Sequence, residues 1–422
     1  INSAPGSEVT TIEIGHYLSF PLQVNHLDDS GGAIDWTGMT PEEIVGDLKT
    51  MGRTDIGEPT VYIGHPRDGI LGYFDQFGVN AFGQDDDLTI EGNLINGAGL
   101  GSLSGLVTGF TDYGALINSE LLKEENFSTD VDAIEILNGK RFELLRTPTT
   151  REMKEYNEAM DTATSLEERA AISSEYSQMI NSRTIEEQQE LIEQAAELRE
   201  TCDITDDNQE SDFFTLSSLS RGTIDDWFML LNHGYRMTAL GNSDTHGTTK
   251  VESGCPRNYI MVEGDEPIEL DDAEISQAVK DGKVLATYGP FVRFYANGDP
   301  SITMGSSTSG ESVELSIEIQ APSWYNVSSL EIYRNGTLID VKEIQSSEEI
   351  IKYELTETYD VEIRDGTPID SWFVAIVQGT DSLSPLFTTT ERPAIQLQDV
   401  VAEALGDASN STLALLSSFL SP

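Results

Sequence analysis

Val61-Tyr62-Ile63-Gly64-His65-Pro66-Arg67-Asp68-Gly69 joins a short apolar run to a polar string, and the string holds one of only five histidines in this chain of 422 residues. Over residues 6–146, similar short apolar runs alternate with helical patterns, which is typical of parallel strands joined by helices. Folds of this class carry their chemistry at the strand ends. We therefore predict an α/β domain in which His65 follows a buried strand.

Residues 40–51 carry a clear helix signal within this domain. Thr40 stands at the N-cap position, Pro41 at the first helical position and Glu43 three residues after the cap. Together these residues satisfy backbone N–H groups that a helix start leaves without partners. The sequence predicts a helix from Pro41 to Met51.

A second polar string, Gly241-Asn242-Ser243-Asp244-Thr245-His246, sets a carboxylate and an imidazole two positions apart. At the end of an extended strand both side chains point to the same side. Glu8 and His16 lie near the start of the chain and add another carboxylate and another imidazole. Such a mixture of nitrogen and oxygen ligands suits zinc, manganese or iron. The alternative is that Asp244 caps a turn and His246 is an ordinary polar loop residue.

Several ordered strings resemble the PHP (polymerase and histidinol phosphatase) superfamily, in its CehA/McbA-type metallohydrolase branch. The resemblance covers roughly residues 6–400, and so many strings in one order are more specific than any single motif. It rests on Gly15-His16 with Phe20-Pro21-Leu22, Asp35-Trp36-Thr37-Gly38, His65-Pro66-Arg67, Ala133-Ile134-Glu135-Ile136-Leu137-Asn138-Gly139, Gly241 to His246, Pro256-Arg257 and Gly289-Pro290-Phe291-Val292. The resemblance implies a distorted seven-stranded β/α barrel that holds up to three metals at its strand ends and hydrolyses substrates with an activated water.

The resemblance also implies a ligand set. Glu8 would bridge two metals, and His16 and His65 would complete the protein ligands of one of them. Asp244 would belong to the first metal and His246 to the third. The expected cofactor is a divalent metal, with zinc first and manganese or iron as alternatives.

The same resemblance assigns roles around these ligands. Asp244 and Arg67 would be the catalytic residues, with Arg67 binding an anionic group of a small ester or phosphoester substrate. An arginine beside a metal site can equally pair with a ligand carboxylate. Glu135 and Asn242 are expected to stand next to the ligands rather than to bind metal themselves.

The sequence departs from the family ahead of Glu8. Family members begin the barrel with a strand ending in His-x-His, followed by an Asp and a further His, and the printed sequence has none of these. One hypothesis is that the chain is the C-terminal portion of a hydrolase of phosphoesters, esters or carbamates, completed by an N-terminal fragment. It is favoured by the start at Ile1 and by the strand edges that a shortened barrel would expose. The other is a catalytically degenerate scaffold that serves as an extracellular structural or assembly protein.

The charge of the chain limits its partners and its setting. It contains 74 acidic and 24 basic residues, for a net charge of −50. Such a charge opposes binding to nucleic acid and to an anionic membrane surface. It is typical of a solvated shell suited to high salt, and we expect an extracellular, cell-surface or periplasmic location. Residues 412–420 are apolar but too short to span a bilayer. The sequence leaves open whether the chain forms a homo-oligomer.

The two cysteines, Cys202 and Cys255, stand in different parts of the sequence. A single disulfide between them is expected if the chain is exported to an oxidising compartment. A zinc site on these two residues would need further ligands nearby, and the sequence offers none.

Composition and periodicity divide the rest of the chain. Residues 148–201 are rich in Glu, Ala and Gln without any Gly, which predicts a helical hairpin inserted into the barrel. Strict apolar alternation from Val313 to Ile319, and a type I′ turn at Asn335-Gly336, predict an all-β immunoglobulin-like sandwich. The predicted segments are 1–146 and 213–291 for the barrel, 147–212 for the hairpin and an acidic loop, 292–398 for the sandwich and 399–422 for a tail.

Overall fold

The structure is a computed structural model, and its described residues make up a mixed α/β protein with more strand than helix. Most of the predicted hairpin lies outside the described residues, as do His246, Cys202 and the tail 399–422. The described residues are 5–11, 14–24, 32–53, 57–68, 71–80, 89–90, 121–139, 145–147, 222–245, 253–263, 270–364 and 366–379, with scattered positions between 155 and 180 that are mostly helical.

The α/β part contains nine described strands and four described α-helices. In chain order, the strands are β1 (Ser7–Thr10), β2 (His16–Phe20), β3 (Thr60–Gly64), β4 (Val79–Asn80), β5 (Thr89–Ile90), β6 (Ala133–Asn138), β7 (Thr238–Asn242), β8 (Arg257–Ile260) and β9 (Val284–Thr287). The helices are α1 (Pro41–Thr50), α2 (Tyr73–Phe77), α3 (Thr223–Asn232) and α4 (Asp272–Lys280). A 3-10 turn covers Glu124–Asn126.

The main sheet has the strand order β1-β2-β3-β6-β7. β3, β6 and β7 are parallel, as the alternation of strands and helices predicts. β1 and β2 run antiparallel to their neighbours: only residues 11–15 lie between β1 and β2, and β2 is antiparallel to β3 although α1 lies between them in the chain. The prediction of parallel strands is therefore met on one side of the sheet only.

The helices cover the sheet on two faces. Helices α1, α2 and α3 supply residues of the main core, where Ile44, Leu48 and Phe74 are almost fully buried. A smaller cluster on the other face joins Tyr62 and Leu240 to α4. Apolar side chains on both faces explain why the parallel strands form near-continuous apolar runs.

The predicted start of α1 is confirmed. The backbone N–H of Glu43 donates to the Thr40 hydroxyl at 3.3 Å, and the Glu43 carboxylate accepts the backbone N–H of Thr40 at 2.8 Å. The helix ends at Thr50, one residue before the predicted end at Met51. This local signal works because every group of the capping box lies within four residues.

The described residues form an open sheet, and a closed barrel is not found among them. β8 and β9 make a separate antiparallel pair next to β7. The side chain of Asn258 joins the two sheets, since it accepts the N–H of Gly241 at 2.8 Å and donates to the carbonyl of the same residue at 2.9 Å. The Asn258 side chain therefore takes the place of the backbone hydrogen bonds that join neighbouring strands elsewhere in the sheet.

None of the described helices is long and apolar enough to cross a membrane.

Two antiparallel sheets form the sandwich after residue 290. Their strands are β10 (Phe291–Ala296), β11 (Asp299–Thr303), β12 (Ser312–Gln320), β13 (Ser329–Arg334), β14 (Thr337–Glu343), β15 (Ile351–Asp360) and β18 (Phe373–Gln378), while β16 (Ile363–Arg364) and β17 (Thr367–Pro368) pair with each other. One sheet has the order β11-β10-β12-β15 and the other β14-β13-β18, and both contribute to one apolar core. Asn335 and Gly336 both have positive φ, 51° and 80°, which confirms the predicted type I′ turn.

Candidate metal centre

Three segments bring Glu8, His16 and His65 together. In the ladder between β1 and β2, Thr10 stands opposite His16, so Glu8 lies on the same face as His16, one diagonal step away. In the ladder between β2 and β3, His16 stands opposite Gly64, and His65 is the next residue along the chain. The sheet order therefore brings the three side chains to one end of neighbouring strands.

The ligand atoms of these residues form a small triangle. His16 Nδ1 lies 2.9 Å from Glu8 Oε1 and 3.0 Å from His65 Nε2. Glu8 Oε1 lies 3.9 Å from His65 Nε2. Within the described part of the chain, no other group of three or more metal-ligating side chains comes this close.

The triangle has the size and chemistry of one face of a metal site. Ligand atoms about 2.1 Å from a tetrahedral zinc ion stand on the order of 3.4 Å apart, and the three distances lie on either side of that value. Two imidazole nitrogens and one carboxylate oxygen are a common donor set for zinc. Two ring nitrogens 3.0 Å apart repel unless a proton or a cation lies between them.

Burial and charge favour the forms that bind metal. His16 and His65 are buried, whereas the Glu8 side chain is 39% exposed, so the cluster opens to solvent on the Glu8 side. Hydrogen bonds from His16, and then from His65, hold the pKa of Glu8 well below its usual range. Burial lowers the pKa of His16. Ionised Glu8 and neutral His16 are the forms that coordinate a cation.

The two histidines differ in the groups near their second ring nitrogens. His65 Nδ1 lies 3.6 Å from Asp68 Oδ2, which resembles the carboxylate that usually orients a metal-binding histidine. The Nε2 of His16 is buried and has no hydrogen-bond partner among the described residues. At 3.6 Å the Asp68 carboxylate lies beyond hydrogen-bond distance of His65 Nδ1, so its interaction with the ring is electrostatic.

Glu135 lies directly behind His65. Its Oε2 accepts the backbone N–H of His65 at 2.6 Å, and its Oε1 accepts from the Asn138 side chain at 3.2 Å. Glu135 is only 2% exposed, and this burial raises its pKa to about 7. It stands next to a candidate ligand and contacts its main chain rather than its ring.

Asp244 and Asn242 lie at the end of β7. Asp244 is half-buried, and its Oδ2 stands 3.3 Å from Asn138 Nδ2. Asp244 is described but does not belong to the compact triangle of Glu8, His16 and His65. Asn242 Oδ1 accepts from Asn258 at 3.1 Å. The metal roles of Asp244 and His246 stay predictions, and His246 lies outside the described residues.

Arg67 has partners other than the predicted anionic group of a substrate. Its guanidinium donates to both oxygens of Asp226, at 2.7 and 2.6 Å, to Asp75 at 3.0 Å and to the carbonyl of Val79 at 2.8 Å. It also stacks over Phe74, 5.5 Å from the ring centre. The Asp226 and Asp75 carboxylates are not among the predicted ligands, so the observed pairing differs from both interpretations of Arg67, and Arg67 anchors α3 to the loop after β3.

Asn138 belongs to the site but is not among the predicted site residues, although it lies in a string that carries the family resemblance. Its side chain joins Glu135 and Asp244, and its carbonyl accepts from the Tyr288 hydroxyl at 2.9 Å. A signal is present, because an asparagine that ends an apolar strand is a polar group at the edge where chemistry is expected. Only the strand pairing shows which side chains it meets.

Cys255 is buried, and its thiol stands 3.6 Å from the carbonyl oxygen of Tyr288. Because Cys202 lies outside the described residues, the disulfide stays a prediction.

His233 is the C-cap residue of α3, with Nδ1 2.8 Å from the carbonyl oxygen of Met229.

Comparison with known proteins leaves the family assignment a prediction, based on the ordered strings. No protein-family model, curated protein or solved structure matches the chain.

Proposed function

We propose that this chain is part of a PHP-type metal-dependent hydrolase, in which Glu8, His16 and His65 hold a divalent cation, zinc in the first instance. The observation that carries the proposal is the triangle of ligand atoms, with sides of 2.9, 3.0 and 3.9 Å. Its supporting features are burial of both imidazoles and ionisation of Glu8.

The proposed substrates are small esters, phosphoesters or carbamates. A divalent cation supplies the hydrolytic chemistry, since it acidifies water and polarises carbonyl or phosphoryl oxygens. Around it, the two buried imidazoles exclude solvent from one side, and the part-exposed Glu8 leaves the other side open to substrate. Because Arg67 is paired with Asp226 and Asp75, we do not assign it to the substrate.

The complete hydrolase is proposed to have the distorted barrel fold of the family. β1 pairs only with β2 among the described strands, so its other edge can accept a strand from an N-terminal fragment that carries the family's His-x-His ligands. At the other end of the sheet, Asn258 already joins β7 to β8. The acid-rich composition fits a protein of a salty extracellular setting.

The first experiment measures metal content per chain by plasma mass spectrometry, on protein purified without chelator. About one zinc, manganese or iron ion per chain is expected in the wild type, and its loss is expected in His65→Ala. His233→Ala is the matched control, because it removes a half-buried histidine that faces a helix carbonyl. Metal-free wild type, or equal metal in both variants, would refute the site.

A second experiment separates the hydrolase from the scaffold alternative. The protein is assayed on aryl esters and aryl phosphates, with and without added zinc, and together with the N-terminal segment if the gene encodes one. Hydrolysis that a chelator abolishes and His65→Ala lacks supports the enzyme. Stoichiometric metal without turnover under all these conditions supports the scaffold.

A further inference from the structure

Two residues of the α/β part have backbone conformations that side chains other than glycine rarely adopt. Among the described residues, His65 has φ +24° and Asp244 has φ +44°, while the other two such residues, Asn297 and Asn335, lie in turns of the sandwich. Left-handed conformations persist only where the surroundings hold them, and they concentrate at functional sites. Both residues lie just beyond strands of one sheet, His65 directly after β3 and Asp244 two residues after the end of β7, and β6 lies between these two strands.

One chain of hydrogen bonds connects these two residues. The backbone N–H of His65 donates to Glu135 Oε2 at 2.6 Å. Asn138 Nδ2 then lies 3.2 Å from Glu135 Oε1 and 3.3 Å from Asp244 Oδ2, so a single amide group serves two carboxylates. Glu135 and Asn138 are both almost fully buried. The connection is therefore shielded from water along most of its length.

A β-bulge makes this connection possible. Residues three apart on a regular strand point to opposite faces, which would separate Glu135 from Asn138. The register between β6 and β7 shifts between Glu135 and Leu137, so β6 contains one extra residue. Ile136 and Leu137 consequently pack towards the same core, and Asn138 returns to the face of Glu135. Bulges next to active sites commonly re-aim a side chain in this way.

The end of β6 is also held against the turn that carries Asp244. The Tyr288 hydroxyl donates to the carbonyl of Asn138 at 2.9 Å, and the N–H of Gly139 donates to the carbonyl of Asn242 at 2.9 Å. A Cβ on Gly139 would overlap the carbonyl of Ser243, so only glycine permits this approach.

We propose that Glu135 and Asn138 are positioning residues that couple the His65 turn to the Asp244 turn, so that the two turns take their left-handed conformations together. The coupling is a property of the protein alone. Its use in metal binding rests on the proposed function, in which it would fix the position of His65, one of the three ligands of the proposed cation.

The test is hydrogen–deuterium exchange on the metal-free full chain, with electron-transfer fragmentation to resolve the His65 amide. In Asn138→Ala, which keeps Glu135 but removes the hydrogen bond to its Oε1, the His65 amide should exchange about tenfold faster or more, because a Glu135 carboxylate that is no longer held accepts the His65 N–H less firmly. The amides of Tyr62 and Ile63 should keep their wild-type rates. Thr60→Val is the matched control, because it removes a buried hydroxyl bonded to Ser276 at the opposite end of β3.

Two outcomes would overturn the coupling: an unchanged His65 amide in Asn138→Ala, or an acceleration shared equally by Tyr62 and Ile63. Glu135→Gln keeps one oxygen for the His65 N–H and is a milder variant. Its His65 amide should exchange more slowly than that of Asn138→Ala, at a rate nearer to the wild-type value. A cobalt titration run in parallel should give 10- to 100-fold weaker binding in Asn138→Ala, a typical effect of removing groups that orient ligands. Wild type that binds no cobalt would refute the metal site and leave the exchange result standing.

Discussion

His65 and Arg67 are two residues apart, yet they belong to buried polar clusters of opposite kinds. Around Arg67 each charged group faces a group of opposite sign, since the guanidinium meets the carboxylates of Asp226 and Asp75 with good hydrogen-bond geometry, and in this sense we call the cluster matched. Around His65 the lone pairs of two imidazoles and one carboxylate converge. A cluster with matched charges holds the fold together by itself. A cluster of converging lone pairs needs a proton or a cation, and this difference separates a structural network from a binding site.

The largest effect is expected from breaking the matched cluster. Arg67→Met leaves Asp226, which is fully buried, without its cation. Removal of one partner of a buried ion pair typically costs about 3 to 5 kcal/mol of unfolding free energy. Urea unfolding of the wild type and the variant measures it.

Arg364→Met is the matched control for this prediction. It also removes an arginine that pairs with a carboxylate, Glu362 at 3.0 Å, but its side chain is 68% exposed. Exposed pairs contribute little because water screens them. If both variants lost equally little stability, the view that the Arg67 cluster holds the fold would be wrong.

The converging cluster should respond to metal instead. Zinc at a free concentration 100 times its dissociation constant should raise the unfolding free energy of the wild type by about 2.7 kcal/mol, because it binds the folded chain. His65→Ala should gain nothing, and His233→Ala should gain as much as the wild type. Thermal unfolding with and without zinc provides the measurement, and equal gains in all three proteins would point to unspecific binding by the acidic surface.

A smaller effect tests whether Asp68 orients His65 in the converging cluster. Asp68→Asn removes the charge 3.6 Å from His65 Nδ1 and should weaken zinc binding about tenfold, at the low end for an orienting carboxylate because the contact is long. Titration against a chromophoric chelator measures the affinity. Asp130→Asn, which removes an exposed carboxylate paired with Lys49, should bind zinc like the wild type. Equal affinities in both variants would argue that Asp68 does not orient His65.

The two clusters also differ in how far the sequence predicts them. The strand before His65 and the start of α1 are predictable because their signals are local. The pairing of Arg67 with Asp226 joins residues 159 positions apart, and no local pattern indicates it. The bulge in β6 likewise depends on its register with β7 and not on the residues of β6 alone. The candidate ligands are therefore predictable as residue types, whereas the groups that position them are not.

The smallest effect concerns a third buried cluster, where the charges are matched only in part. Arg146 donates to the Tyr333 hydroxyl at 2.7 Å, and that hydroxyl donates to Glu331 at 2.9 Å. Burial raises the pKa of Glu331 above its usual 4.5. A carboxyl whose pKa is higher in the folded protein than in the unfolded chain contributes most at low pH, and this contribution is lost as pH rises through the folded pKa.

Glu331→Gln removes this pH dependence and keeps an oxygen for the hydrogen bond from Tyr333. The unfolding free energy of the variant should therefore improve relative to the wild type as pH rises from about 4.5, where the unfolded carboxyl titrates, and then level off. Urea unfolding at a series of pH values between about 4 and 8 follows this difference. A difference that stays flat would mean that Arg146 matches the charge of Glu331 through Tyr333 as fully as Asp226 matches that of Arg67. The cluster would then belong with the structural networks of the molecule.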